Sequence, residues 1–425
     1  MVKNSLFTPI SVGQKSLSHR VVLAPMTRAR ACPTTLGPTK DTTIYYEQRA
    51  SDGGLLISEA IHISPEATPS WTIYSTVREN GGQVPGIWTL DQTIAWREVT
   101  EAVHTKGGVI SCQLLHTGRV AQPGIGEHPI VRQTTAPLPP VSSSATPLEQ
   151  SDQPGDYNWD QIAKLPRALE TAEISRLVQD YCLAARNAHK AGFDYVEIHA
   201  AHGYLIEQFM CDGVNKREDH YGGSKENRCR LLFEIIEALV AELGPDRVAI
   251  RLSPTTINPS TGKLYQMYFG VTSSDAEDLW DYAIQKLNTY PLAYLLLTEP
   301  RVGALSVLPL DDPSIHQPLR NARFRTLYGG VLIGAGGFTP SSASEAVGAG
   351  AYDMIAFGRW FLSNPDLPER LLLGNPLNLY DRATFYGGGT VGYTDYPEFS
   401  HKQNESVFHY ELIEQNLIRA AKNSK

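Results

Sequence analysis

Eight short apolar runs recur along the chain, with helical patterns filling most of the gaps between them. They are Val21–Thr27, Leu55–His62, Val109–Leu115, Tyr195–Ala200, Val248–Pro254, Ala293–Glu299, Val331–Gly337 and Met354–Arg359. Several are nearly continuous in Val, Ile and Leu, which is the pattern of parallel strands covered on both faces. Between them, Ile174–Ala188 repeats apolar residues every three or four positions, and Leu231–Leu243 does the same. Ser342–Val347 begins another helix, with Ser342 and Glu345 spaced as a capping box. Strand and helix alternating eight times is the count of a closed (β/α)8 barrel. An open doubly wound sheet is the alternative. Against it, none of the runs leads into a GxGxxG turn, and the Gly334, Gly336, Gly337 cluster comes late and lacks that spacing.

We therefore expect a single (β/α)8 domain over residues 1–400. Two gaps break its rhythm. Residues 117–165 are rich in Pro, Gly, Ser and Thr and follow the third strand. Their position favours a folded excursion over the barrel top, a free linker being the other reading. Residues 258–272 follow the fifth strand and leave from the same end. The tail 401–425 reads as helical from Tyr410, Leu412, Ile413, Leu417 and Ile418, either packed on the barrel or on a partner subunit, or frayed.

Charge and composition narrow the function classes. The 45 acidic residues outnumber 37 basic ones, for a net charge of −8, with no Lys/Arg stripe. This argues against nucleic acid as partner. No apolar run approaches the length of a membrane helix, and the N-terminus shows no import signal, so the expectation is a cytoplasmic protein. The five cysteines, Cys32, Cys112, Cys182, Cys211 and Cys229, include no CxxC, so no metal cluster is expected. Cys112 reads as a small buried hydrophobe, and Cys32 as a loop or core thiol or one near the site.

The chemistry concentrates where strands end. Tyr195–Arg228 runs from an apolar strand into His199, His202 and Tyr204. Two imidazole N–H groups aimed at one point can hold a carbonyl or nitro oxygen as negative charge grows on it, and a tyrosine beside them can donate a proton. A polar strand end or half of a metal site are the other readings. Gln113 and Arg251 interrupt otherwise apolar strands and, at the right parity, point into the barrel top, unless they serve an internal ion pair. Gly334–Gly337 and Gly358–Arg359 close the last two strands. Glycines, exposed backbone N–H groups and an arginine there are the ingredients of a phosphate site, although tight turns also use glycine.

On these residues the chain resembles the old yellow enzyme family of flavoproteins. The motifs run through nearly all of it: LFTPISVG, LAPMTRARA (Leu23–Ala31), VPGIWTLDQ (Val84–Gln92), QLLHTGR (Gln113–Arg119), the His199–Tyr204 segment, AFGRWFLSNPDLPER (Ala356–Arg370) and DRATFYGGGTVGYTDYP. The resemblance implies a (β/α)8 barrel holding non-covalent FMN, reduced by NADPH or NADH, which then reduces an activated alkene. It implies that Thr27 bonds the flavin C4 oxygen and that the Ala60 backbone passes near the ring. It further implies that Gln113 and Arg251 serve the pyrimidine edge, and that Gly336, Gly337, Gly358 and Arg359 hold the phosphate. His199 and His202 match the pair that binds the electron-withdrawing group, Tyr204 the proton donor, and Tyr386 an aromatic at the pocket mouth.

Departures from the family pattern bear on substrate. Leu115 stands where many relatives carry Trp, the usual Phe-Asn-Gly-Met-like stretch after Pro254 is missing, and the tail beyond Pro397 is longer. These make the fungal specialised-metabolism branch, which includes enzymes acting on ergot alkaloid intermediates, a neighbourhood to consider. The expected activity is NADPH-dependent reduction of an enone or enal, with a bulky polycyclic or prenylated substrate, by a monomer or homodimer. A flavin-dependent double-bond isomerase or dehydrogenase is the rival, and a non-catalytic ligand-binding barrel a third reading.

Overall fold

The structure is a computed structural model and describes residues 5–68, 82–120, 140–148, 165–254, 269–300 and 318–400. Eight parallel strands close into a barrel in chain order. They are β1 (Val21–Leu23), β2 (Leu55–His62), β3 (Val109–Leu115), β4 (Tyr195–His199), β5 (Val248–Leu252), β6 (Leu295–Thr298), β7 (Leu332–Ala335) and β8 (Met354–Phe357). All eight expected strands are present. Most end one to four residues before the apolar run does, because the polar ends leave the ladder to form loops on the C-terminal face. The two-stranded unit Val141–Ser142 with Arg167–Ala168 lies within and just after the excursion following β3. The rest of that excursion over 121–139 and 149–164, the loop over 255–268 and the tail 401–425 lie outside the described residues.

The continuous apolar runs have two destinations. Val22, Leu55, Ile57, Val109, Ala249, Leu296, Ile333, Met354 and Ala356 fill the barrel interior. Leu23, Leu56, Ile110, Ile198, Ile250, Leu297 and Ile355 face the outer helices. An N-terminal hairpin pairs Ile10–Val12 with Lys15–Leu17, and Val12 and Leu17 join the interior cluster. The Tyr195 hydroxyl donates to the Val12 carbonyl at 2.6 Å, fixing the hairpin to β4. Outside, Trp96 on helix Leu90–Thr105 and Trp280 on helix Ala276–Leu287 are fully buried. Truncating either to Ala would cost about 3–5 kcal/mol.

The helical periodicities hold, as Thr171–Lys190 and Arg230–Leu243. One start is corrected. The helix after β7 begins at Pro340, ahead of Ser342, with Thr339 as N-cap. Thr339 Oγ1 accepts from the Ser342 N–H at 3.1 Å, and Ser342 Oγ accepts from the Thr339 N–H at 2.9 Å. The capping box is thus Thr339–Ser342, and Pro340 needs no hydrogen-bond partner at the first helical position.

Candidate active site

A bulge in β2 decides what the barrel top presents. Ile57 lies opposite Ser111 but Ala60 lies opposite Gln113, so β2 carries one extra residue there. The Ser58 hydroxyl fills the gap, accepting from the Gln113 N–H at 3.0 Å. Parity flips across the bulge, turning Glu59 outward and bringing Ala60 level with Gln113. Glu59 Oε2 then accepts from the N–H groups of Arg28 and Ala29 at 3.2 and 3.4 Å. Burial pushes its carboxyl up to about 7.

Gln113, Glu197 and Arg251 meet inside the barrel. Gln113 Nε2 donates to Glu197 Oε1 at 2.6 Å. Among the described residues the Gln113 carbonyl oxygen accepts nothing, although the residue is buried. Glu197 is fully buried and its Oε2 has no hydrogen-bond partner among them. Burial raises its carboxyl above the usual range, with the Arg251 guanidinium opposing. An amide with an open acceptor beside an arginine fits the donor and acceptor edge of a pyrimidine-like ring.

The histidine cluster begins two residues beyond Glu197 on β4. His199 ends β4 in register with Arg251 on β5. The ring centroids of His199 and His202 are 5.2 Å apart, as are those of His199 and Tyr204. Tyr204 packs in turn on Phe269 at 5.6 Å. His199 Nδ1 accepts from the Ala201 N–H at 3.3 Å, which assigns the ring's proton to Nε2. Thr298, at the end of β6, joins the two sides: its Oγ1 accepts from Arg251 Nε at 3.3 Å and lies 3.1 Å from His202 Nε2. Burial, reinforced by Arg251, holds both imidazoles well below their ordinary titration range. This favours the neutral form of both, and a neutral imidazole can donate an N–H without carrying charge. Among the described residues no group of three or more His, Cys, Asp or Glu side chains could hold a metal ion.

The residues expected to hold a phosphate sit at the ends of neighbouring strands. Gly336 and Gly337 follow β7 with φ of +98° and +69°. Gly358 follows β8 and caps the short helix Arg359–Ser363. A Cβ on Gly358 would meet Met26 Sδ at 3.3 Å, a tight contact that the flexible Met side chain would have to yield to by a few tenths of an ångström. Thr27 is half-buried next to Met26, four residues beyond β1. The open Gln113 acceptor, Arg251 and this glycine-lined end with Arg359 fit an FMN.

Leu115 is buried at the end of β3, opposite His62. Tyr386 reaches the barrel top from the far end of the chain. It packs against Ala29 and Val84. Three buried arginines pin the segment that carries it. Arg28 Nε donates to the Phe385 carbonyl at 3.0 Å and Nη2 to that of Gly392 at 2.8 Å. Arg30 Nε donates to the Gly389 carbonyl at 3.0 Å. Arg49 Nη2 donates to the Tyr393 carbonyl at 3.4 Å and Nε to the Phe361 carbonyl at 3.2 Å, its guanidinium 3.8 Å over the Tyr45 ring. These arginines, Glu197 and Thr298 escaped sequence reading. Glu197 alone left a signal, a lone acid inside the apolar run YVEIH. Cys32 is half-buried with Sγ 3.2 Å from Thr34 Oγ1, and Cys112 is fully buried.

A parallel eight-stranded barrel with an arginine and an amide inside its top, glycine-lined ends on its last two strands and a neutral histidine pair fits a flavin oxidoreductase of the barrel class. The chain belongs to the NADH:flavin oxidoreductase / NADH oxidase family, whose model matches residues 5–378, and within it to the old yellow enzyme type of FMN flavoprotein. It is 42% identical over 393 residues to 12-oxophytodienoate reductase 2 of Arabidopsis thaliana, covering 92% of this chain and 95% of the relative. A morphinone reductase solved in complex with tetrahydroNAD superposes with a TM-score of 0.76 at 39% identity, over 94% of this chain and 99% of that one. The old yellow enzyme homologue from Zymomonas mobilis gives 0.77 at 36% identity, over 92% and 99%. Among the described residues no helix is long and apolar enough to cross a membrane.

Proposed function

We propose that the chain is an ene-reductase that reduces the activated C=C bond of an α,β-unsaturated aldehyde or ketone with NADPH as reductant. The observation that carries this is the His199–His202 pair, both imidazoles held neutral by burial, with Tyr204 packed beside His199 at the barrel end that carries Gln113 and Arg251. FMN, when bound, supplies the hydride that passes from nicotinamide to the alkene. Thr27, the Ala60 backbone, Gln113 and Arg251 would hold its ring, and Gly336, Gly337, Gly358 and Arg359 its phosphate. The histidine N–H groups hold the substrate's carbonyl oxygen, where negative charge grows as the β-carbon receives hydride. Tyr204 gives its phenolic proton to the α-carbon, completing net addition of H2. Leu115 and Tyr386 shape the pocket, and a small side chain at Leu115 favours a bulky secondary metabolite in the manner of the fungal branch.

NADH is the second reading for the reductant, favoured by the tetrahydroNAD complex of the morphinone reductase neighbour. Product analysis with NADPH and NADH deuterated at the transferable position tests both. Label at the β-carbon of a saturated product supports reduction, and the faster of the two donors identifies the reductant. An isomerised or dehydrogenated product formed without stoichiometric nicotinamide consumption would reject the ene-reductase assignment.

A further inference from the structure

Glu207 lies on the helix Leu205–Met210, has been given no role above, and is buried. Its Oε2 accepts from the Gly203 N–H at 2.7 Å and from the Ser253 hydroxyl at 3.2 Å. The Ser253 oxygen in turn accepts from the His202 N–H at 2.8 Å. One carboxyl oxygen thus gathers, directly and through one hydroxyl, the backbone of two consecutive residues. Both are in the left-handed region, His202 at φ +57° and Gly203 at +74°. That conformation costs a residue bearing a Cβ about 1–2 kcal/mol. Something outside the turn must therefore over-determine it. The neighbouring Gln208 closes the other side, its Nε2 donating to the Gly203 carbonyl at 2.8 Å. Tyr204 follows directly as N-cap of the same helix.

We propose that Glu207, acting through Ser253, is the positioning residue that sets the His202 imidazole and the Tyr204 phenol for the substrate's carbonyl group. It touches neither substrate nor cofactor. Its role is that of a hydrogen-bond acceptor held at one point, so an amide serves as well as a carboxyl. Without it the His202 turn relaxes toward ordinary backbone geometry, and the imidazole swings off Thr298. The inference rests on the ene-reductase reading for its consequence in catalysis, but the turn itself is readable without it.

The test uses flavin-loaded wild type, E207Q, E207M and S253A. Two readouts are taken: the dissociation constant of 2-cyclohexen-1-one on the oxidised enzyme, followed by the change in flavin absorbance, and the 15N-histidine imidazole spectrum of each protein. E207M should weaken enone binding about tenfold or more, and S253A by about three- to tenfold, as buried donors lose their partner. In both, the His202 signal shifts while that of the distant His104 stays. E207Q should return both readouts to near the wild-type values, which a general packing defect would not allow. If E207M does not fold, S253A against wild type carries the test. Wild-type binding and an unmoved His202 signal in the folded variants would overturn the proposal, as would an E207Q variant as impaired as E207M. If wild type neither binds nor reduces enones, the ene-reductase reading fails, and the imidazole spectra alone then decide whether Glu207 sets the turn.

Discussion

Replacing Gly336 by Ala probes the phosphate end of the site against a control built into the same chain. Gly336 has φ of +98°, and a Cβ there would lie 2.8 Å from the Glu299 carbonyl oxygen and 3.3 Å from its nitrogen. Glu299 cannot yield. Its N–H donates to the Ala335 carbonyl at 2.8 Å, and its carboxylate accepts from the Arg320 and Asn321 N–H groups at 2.7 and 3.1 Å and from the Tyr352 hydroxyl. The β7 loop must therefore move. A Cβ in left-handed backbone costs about 1–2 kcal/mol. Overpacking against fixed backbone adds about 1–3 kcal/mol. Relieving that strain displaces the backbone N–H groups proposed to face the phosphate, so FMN affinity should fall at least about thirtyfold, at roughly 1.4 kcal/mol per tenfold. Gly350 provides the control, with φ of +70° and nothing within 4 Å of where a Cβ would stand. G350A should lose only about 1 kcal/mol of stability and keep its flavin. The assay is quenching of FMN fluorescence on titration into deflavinated protein, with thermal melts alongside. FMN affinity in G336A within about threefold of wild type would refute the reasoning, and so would equal loss in G350A.

Three further outcomes are expected. Y204F should slow alkene reduction about a hundredfold or more while nicotinamide-driven flavin reduction stays near normal, and equal loss in both half-reactions would remove Tyr204 from proton donation. L115W inserts a larger side chain at a buried strand end and should raise KM for bulky substrates about tenfold with small enones little affected; a wild type preferring small enones, unchanged by the substitution, would rule the large pocket out. The third concerns pH. Burial pushes the Glu207 carboxyl up to about 8. An acid raised on folding favours its neutral form, so its stabilising contribution is complete below the unfolded value of about 4.5 and is lost as pH rises to about 8. E207Q removes that titration. Its melting temperature should match wild type at about pH 4 and exceed it above about pH 8; parallel pH profiles would show that Glu207 does not titrate this way.

The sequence by itself determined the architecture. Strands whose both faces are apolar require cover on both, and eight of them separated by one-sided helices match a closed barrel with packed interior and outer shell, the absence of a GxGxxG turn weighing against an open doubly wound sheet. It also singled out candidate residues, because His199, His202, Tyr204, the glycines and Arg359 stand at or just past the end of a run, and Gln113 and Arg251 interrupt apolar ones. Tertiary structure decided orientation and support. Nothing local in LLISEAIH reveals that a one-residue bulge turns Glu59 out and brings Ala60 opposite Gln113; that depends on pairing with β3. Thr298 reads as the plain end of an apolar run until the closed barrel sets it between Arg251 and His202. Arg28 and Arg30 gain their purpose only when a segment more than 350 positions away docks on them. Periodicity reports which face of an element is buried. Hydrogen bonds between distant residues depend on register and closure, which exist only once the whole barrel has formed.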